Sequence, residues 1–460
     1  MSASNIDSTS NNLIHCQTAN SALSLLIQRT KWLFLALCFY LISQGFTIPI
    51  LALGPSWAIW PTLSDFATAC LILMLLLNFQ KTPAPSKASW SIFFVLIFIC
   101  VGCILSFTWN LTWLSSQSAK GSSFGIFQIY RLFQFVCIFW VTAHIPLTTK
   151  RITVLRQIVN TILIFVCAGI ILTYFSIVPL STITGHLPQG AGIAGPWNSY
   201  ASLERFGGRG WGTIGYNHAY VSAQVILLLS LKIHLNSKQK LLFFDNILLV
   251  LSIVACFLSE SRAGLATMIF YAIFFWFQKP IYAIVAAVIA GTTATTAIFI
   301  SSSSINLTSG EGSTVERQLA LLNPNNSENL SGRDEIWTER MSLLDKEPLL
   351  WFFGGGFGSA IDSGSNAHML YLHIIIETGL IGLLIFAFLF YKILSLLYEY
   401  EQGTKPVFWV TIALLFSSMT QETFYPTPAF GHFIGFYLCC LALALNSYRF
   451  GETSPQVAPN

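Results

Sequence analysis

Trp90-Ser-Ile-Phe-Phe-Val-Leu-Ile-Phe-Ile-Cys-Val-Gly-Cys-Ile-Leu-Ser-Phe-Thr108 contains no charged side chain. At about 1.5 Å per residue, a helix of that length spans a bilayer core of roughly 30 Å. Comparable apolar runs recur at 31–51, 62–79, 124–143, 158–177, 216–234, 242–258, 264–277, 281–300, 378–397, 407–418 and 430–445. Unpaired backbone groups are not tolerated in lipid, so each crossing must be a helix. The pattern predicts an all-α polytopic integral membrane protein with about twelve transmembrane helices.

Composition agrees. The 460 residues are 54% hydrophobic and 9% charged, with a mean hydropathy of +0.66. A soluble domain carries about 25% charged residues, so that class is excluded. The net charge of +4 is too diffuse for nucleic acid. Every cysteine except Cys16 falls in an apolar run, which argues against a disulfide framework or a thiolate metal site.

Of 23 Lys and Arg residues, a model with both termini inside puts fourteen in inner segments and eight outside, leaving Arg131 within a span. That is the expected inward bias. The chain then divides into a cytoplasmic tail at 1–30, one membrane domain at 31–446 and a second cytoplasmic tail at 447–460. Two long outer loops, 179–215 and 301–367, are assigned the site. Within the second, Ser331 followed by Asp334 marks a helix start. Arg333, Trp337, Met341 and Leu344 form one stripe of an amphipathic helix lying at the outer interface.

Basic residues on the outer face are costly to place, and they gather around three motifs. Arg209-Gly-Trp-Gly-Thr-Ile-Gly-Tyr-Asn-His-Ala-Tyr220 opens a span with glycines, free helix amides and a forked cation, all suited to an anion. Its plainer reading is a glycine turn with a snorkelling Arg209. Ser259-Glu-Ser-Arg-Ala-Gly264 is a tight turn in which Arg262 faces the lipid headgroups, or else pairs with Glu260. Asn366-Ala-His-Met-Leu-Tyr-Leu-His-Ile-Ile-Ile-Glu-Thr-Gly-Leu-Ile-Gly382 follows Gly354-Gly-Gly-Phe-Gly358. His368 there is either a general base or an interfacial histidine bonded to a loop carbonyl. His373 and Glu377 share a helix face and read as a structural pair rather than metal ligands. Glu422 either touches a sugar or finishes a loop, and Arg131 either neutralises a buried acid or snorkels outward.

In their order, the Arg209 to Asn217 stretch, the Ser-Glu-Ser-Arg turn, Gly332-Arg-Asp-Glu-Ile-Trp337 and the His368 block with Gly379 and Gly382 resemble the bacterial O-antigen ligase and polymerase superfamily. The resemblance covers about 179–384. One departure is Met369, where the family usually carries Asn or another small polar residue. The resemblance implies metal-independent glycan transfer, without cofactor, on the outer face of the inner membrane. The implied donor is an undecaprenyl-diphosphate-linked glycan, and the acceptor is a lipid-linked glycan (polymerase, slightly favoured) or lipid A–core (ligase). A flippase and a chain-length regulator are the implied partners. His368 would be the base, with Arg209, Arg262 and Arg333 gripping the diphosphate; Arg205, Asn217, Glu260, Arg340 and Asn366 are further substrate-binding candidates.

A secondary transporter is the rival of different class. It would place charges at the midplane, whereas here they gather in outer loops. A metal-dependent enzyme would need acids in the first outer loop, and residues 51–60 contain none. Topology is testable by cysteine labelling of intact cells, in a background without native thiols. Ser309→Cys should react with an impermeant reagent and Ser237→Cys should not; labelling at 237 alone would overturn the topology.

Overall fold

A computed structural model describes residues 27–51, 60–79, 82–113, 121–179, 182–183, 210–214, 218–236, 243–276, 333–362, 367–399, 401–426 and 432–449. Among these the fold is helical, without strands. In order the helices are α1 (Lys31–Ser43), α2 (Leu63–Asn78), α3 (Lys87–Trp113), α4 (Gly121–Ala143), α5 (Thr149–Tyr174), α6 (His218–Leu235) and α7 (Phe243–Leu258). There follow α8 (Arg262–Trp276), α9 (Arg333–Lys346), α10 (Pro348–Phe353), α11 (Ser359–Asp362), α12 (Leu370–Glu399), α13 (Glu401–Ser417) and α14 (Phe433–Arg449).

Four of them, α3, α4, α5 and α12, are long and apolar enough to cross a membrane; α1, α2, α6, α7, α8, α13 and α14 are shorter apolar helices. The anticipated span at 281–300 lies outside the described residues. Several boundaries differ from the sequence reading; α1, for example, ends at Ser43 rather than at 51, and α13 begins at Glu401 rather than at 407. Helix α5 begins at Thr149, because Thr148 caps it by accepting from the Arg151 amide. Helix α12 begins at Leu370 rather than near 378, which places His373 and Glu377 within it. Phe94, Phe98, Leu105, Leu384 and Tyr391 stay exposed on α3 and α12, an apolar surface that suits lipid.

Helix α6 is the hub. It packs against α5, α7, α8, α13 and α14, and every side chain from Ala219 to Asn236 is buried. A helix with apolar residues on every side belongs inside, and its few polar side chains must then find partners. Lipid tails supply no hydrophobic drive between helices, so polar contacts matter more to register. Gln224 donates to the Gln44 carbonyl (3.1 Å), Ser222 pairs with Ser259 (2.7 Å), and Ser230 donates to the Pro406 carbonyl (2.9 Å). At its far end Lys232 forms a buried ion pair with Asp245, to which Asn236 also donates.

A second buried charge group ties α2, α4 and α14. Asp65 closes a capping box with Thr62 at the start of α2 (2.8 Å to the Thr62 amide) and pairs with Arg131 of α4. His432 stands 3.1 Å from the same carboxylate. Arg131 therefore neutralises a buried acid and does not snorkel.

Removing one partner of a buried ion pair leaves the other charge uncompensated, at a cost of about 3–5 kcal/mol. Lys232→Met should lower thermal stability in detergent by that order. Lys232→Met combined with Asp245→Leu should recover most of the loss, as read by the temperature at which the monodisperse protein is lost.

Candidate functional site

The site is built on an interlock between a glycine loop and a kinked helix. Helix α10 ends at Gly354, and the loop amides of Gly355 and Gly356 donate to the carbonyls of Ile376 (2.7 Å) and Glu377 (2.9 Å) in α12. Those carbonyls would ordinarily accept from amides one turn further along their own helix. The break occurs at Gly379, which sits at φ 67°, a region open to glycine. A Cβ at Gly379 would collide with the Phe352 carbonyl, and one at Gly354 with the backbone joining Glu377 to Thr378. Ser106 of α3 clamps the junction, donating to the Glu377 carbonyl (3.3 Å) and accepting from the Phe357 amide (3.0 Å).

From this junction a line of ionisable groups runs outward. The buried Glu377 carboxylate accepts the amides of Gly358 (2.9 Å) and Ala360 (3.0 Å). Its Oε1 lies 3.3 Å from His373 Nε2, one helical turn back. His373 Nδ1 is 3.9 Å from Glu422 Oε1, and the other oxygen of Glu422 is 4.0 Å from His368 Nδ1. His373 and Glu377 thus pair as their spacing suggested. Three of the four side chains are fully buried, while that of His368 is 39% exposed. Tyr425 lies against the His373 ring, with centroids 4.1 Å apart.

His368 adopts φ 51°, one of three described non-glycine residues with positive φ. Such a conformation persists only where its surroundings hold it. Here Trp337 of α9 donates its indole N–H to the Ala367 carbonyl (2.8 Å), and the Leu370 amide donates to the Ser418 carbonyl (3.0 Å). The His368 pKa is held below the ordinary 6.5: burial disfavours the imidazolium, Glu422 opposes that, and the positive Arg333 and His373 add to it.

Helix α9 faces the site with Trp337, Arg340 and Leu344, and Arg333 half-buried at its start. The anticipated stripe is corrected at one position. Met341 is 45% exposed while Arg340 is buried, because 333, 337, 340 and 344 share one side of a 3.6-residue helix. The Arg340 charge bears on His373.

The structure brings a second pair of motifs together. Gly210–Ile214 is buried, and a Cβ at Gly210 would meet the Leu258 carbonyl, so this segment lies against the turn carrying Glu260 and Arg262. Ser261 caps α8 by accepting from the Gly264 amide (2.9 Å), and Glu260 sits at φ 61°. Thr213 donates to the Gly45 carbonyl (2.6 Å), anchoring the segment on the end of α1. Arg205, Arg209, Asn217 and Asn366 lie outside the described residues.

Residues 247–387 match the family model described as O-antigen ligase. The match supports the O-antigen ligase and polymerase superfamily for this stretch of the chain. It covers the Arg262 turn, α9, the glycine loop and His368, and supports a membrane glycan transferase of the ligase/polymerase type. No curated protein matches the chain. Glu422 and Tyr220 lie outside the O-antigen ligase match. The contact of Glu422 with His368 escaped the sequence reading because 54 positions separate them; its only signal was a carboxylate beside an apolar helix end.

Gly379→Ala should destabilise the protein. The conformation, φ 67° with ψ −172°, is open essentially to glycine alone and costs another residue about 1–3 kcal/mol, and the Phe352 carbonyl must also move. Lower thermal stability, with a greater loss of activity than for Gly102→Ala, where a Cβ meets nothing within 4 Å, is the expected measurement.

Proposed function

We propose that the protein transfers an undecaprenyl-diphosphate-linked glycan to an acceptor sugar hydroxyl on the outer face of the bacterial inner membrane, with both termini cytoplasmic and without a metal ion. The observation that carries this reading is a half-exposed histidine, kept neutral near pH 7 and backed by a buried carboxylate, beside an arginine-bearing helix. His368 takes the acceptor's proton as its oxygen attacks the anomeric carbon. The bond from that carbon to the diphosphate oxygen breaks, and the diphosphate leaves with the electron pair. Arg209, Arg262 and Arg333 hold it and stabilise the growing charge, with Arg205, Asn217, Glu260, Arg340 and Asn366 lining the substrate path. Of the two acceptors, we favour a second lipid-diphosphate-linked repeat, on the Glu377-Thr378-Gly379 ending; lipid A–core is the alternative. A flippase and a chain-length regulator encoded nearby would support the polymerase.

The test uses the purified full chain in nanodiscs with an undecaprenyl-diphosphate glycan donor and EDTA present. His368→Ala should lose about 10²–10⁴-fold in transfer, while Arg262→Lys should be poor because an ammonium cannot reproduce the two-pronged grip. His368 must be unprotonated to act and its pKa is depressed, so activity should persist below pH 6.5 before falling. Glycan product at wild-type rate from His368→Ala would remove the assignment, and no product from any form would favour a transporter.

A further inference from the structure

The carboxylate of Glu422 has no assigned role, and its surroundings are unusual. It is fully buried, and neither oxygen has a hydrogen-bond partner among the described residues. A buried carboxylate left that way is costly unless a cation forms beside it. The two groups that face it are imidazoles, His368 at 4.0 Å and His373 at 3.9 Å, and both nitrogens concerned are Nδ1. Its backbone is fixed at the same time: the Glu422 carbonyl accepts from the Tyr220 hydroxyl (2.6 Å) and from the Tyr425 amide (3.0 Å). A buried carboxylate is thus held on the Nδ1 side of a half-exposed histidine.

We infer that Glu422 is the positioning residue for His368: it accepts a hydrogen bond from Nδ1–H as the 4.0 Å separation tightens in the substrate complex, turns Nε2 toward the acceptor hydroxyl and stabilises the imidazolium formed during transfer. The inference rests on the glycan-transfer reading. The acceptor O–H bond breaks and the Nε2–H bond forms, while Glu422 stays ionised and the Nδ1 proton stays on the ring. When the diphosphate departs, the imidazolium of the half-exposed His368 can return its proton to solvent. His373 closes the far side of Glu422 and is itself held by Glu377, with Arg340 bearing on it; Arg333 faces His368 from α9. A hydrogen-bonded acid behind a histidine fixes both its tautomer and its direction.

The experiment compares wild type, Glu422→Gln and Glu422→Asp as full chains in nanodiscs, with two readouts. The first is transfer against pH. Glu422→Gln should lower kcat at least about 10-fold, within the range of acid–base contributions, with the donor KM within about two-fold. Its acid limb should move to lower pH, because the one charge favouring the imidazolium is gone. Glu422→Asp should restore part of the rate. The second is modification of His368 by diethylpyrocarbonate across pH, read by peptide mass spectrometry, which needs no turnover. Its midpoint should fall in Glu422→Gln. An unmoved midpoint overturns the pairing, and a moved midpoint with wild-type kcat overturns the positioning role. A wild type that makes no product, with the midpoint shifted, overturns the glycan-transfer reading and leaves the pairing standing. If Glu422→Gln does not fold, Glu422→Asp decides the same points by intermediate shifts.

Discussion

A carboxylate buried in a helix of membrane-spanning length must find donors inside the protein, and Glu377 finds them in the amides of Gly358 and Ala360. Much of the site follows from that need. To deliver those amides, the chain after α10 must run against α12 closely enough that only glycine fits at 354 and 379. The close approach breaks α12 at Gly379, and the carbonyls of Ile376 and Glu377 accept the loop amides. With Glu377 fixed, His373 is placed one turn away, Glu422 beyond it, and His368 at the end of the line. Gly379, one of the two glycines that resembled a family signature, serves this backbone contact.

The rest of the bundle meets the same constraint in a different way. Helix α6 carries Ser222, Gln224, Ser230, Lys232 and Asn236 into the interior, and each is tied to a neighbouring element. Apolar packing alone gives weak register between helices surrounded by lipid. These polar ties give α6 one position along α1, α7 and α13, and Tyr220 at its start transmits that position to Glu422.

Apolar run length and charge placement made the helical fold legible, because burying backbone in lipid leaves few alternatives. The candidate base, its helix and the Arg262 turn were legible from motif order. Three things were not. The role of Glu422 depends on two segments meeting across the bundle. The inward turn of Arg340, in place of Met341, depends on a phase difference of one residue on α9, which a short stripe does not resolve. The early start of α12 depends on Gly379 bending a helix without ending it, whereas an isolated glycine in sequence reads equally well as a boundary.

Opposite charges bear on His368: Glu422 favours its imidazolium, and Arg333 at the start of α9 disfavours it. In a transfer of the proposed kind, two charges appear at once, a negative one on the departing diphosphate and a positive one on the imidazole. A site arranged in advance for both needs its cations on the donor side and its carboxylate beside the imidazole, because separated charges of fixed orientation need little reorganisation at the moment of reaction. A left-handed backbone conformation at His368, between the Trp337 anchor and the Ser418 anchor, fixes the residue relative to both charges. A histidine in a relaxed loop could swing toward either side, satisfying one charge and abandoning the other. The strain at that residue is the local cost of fixing it relative to both.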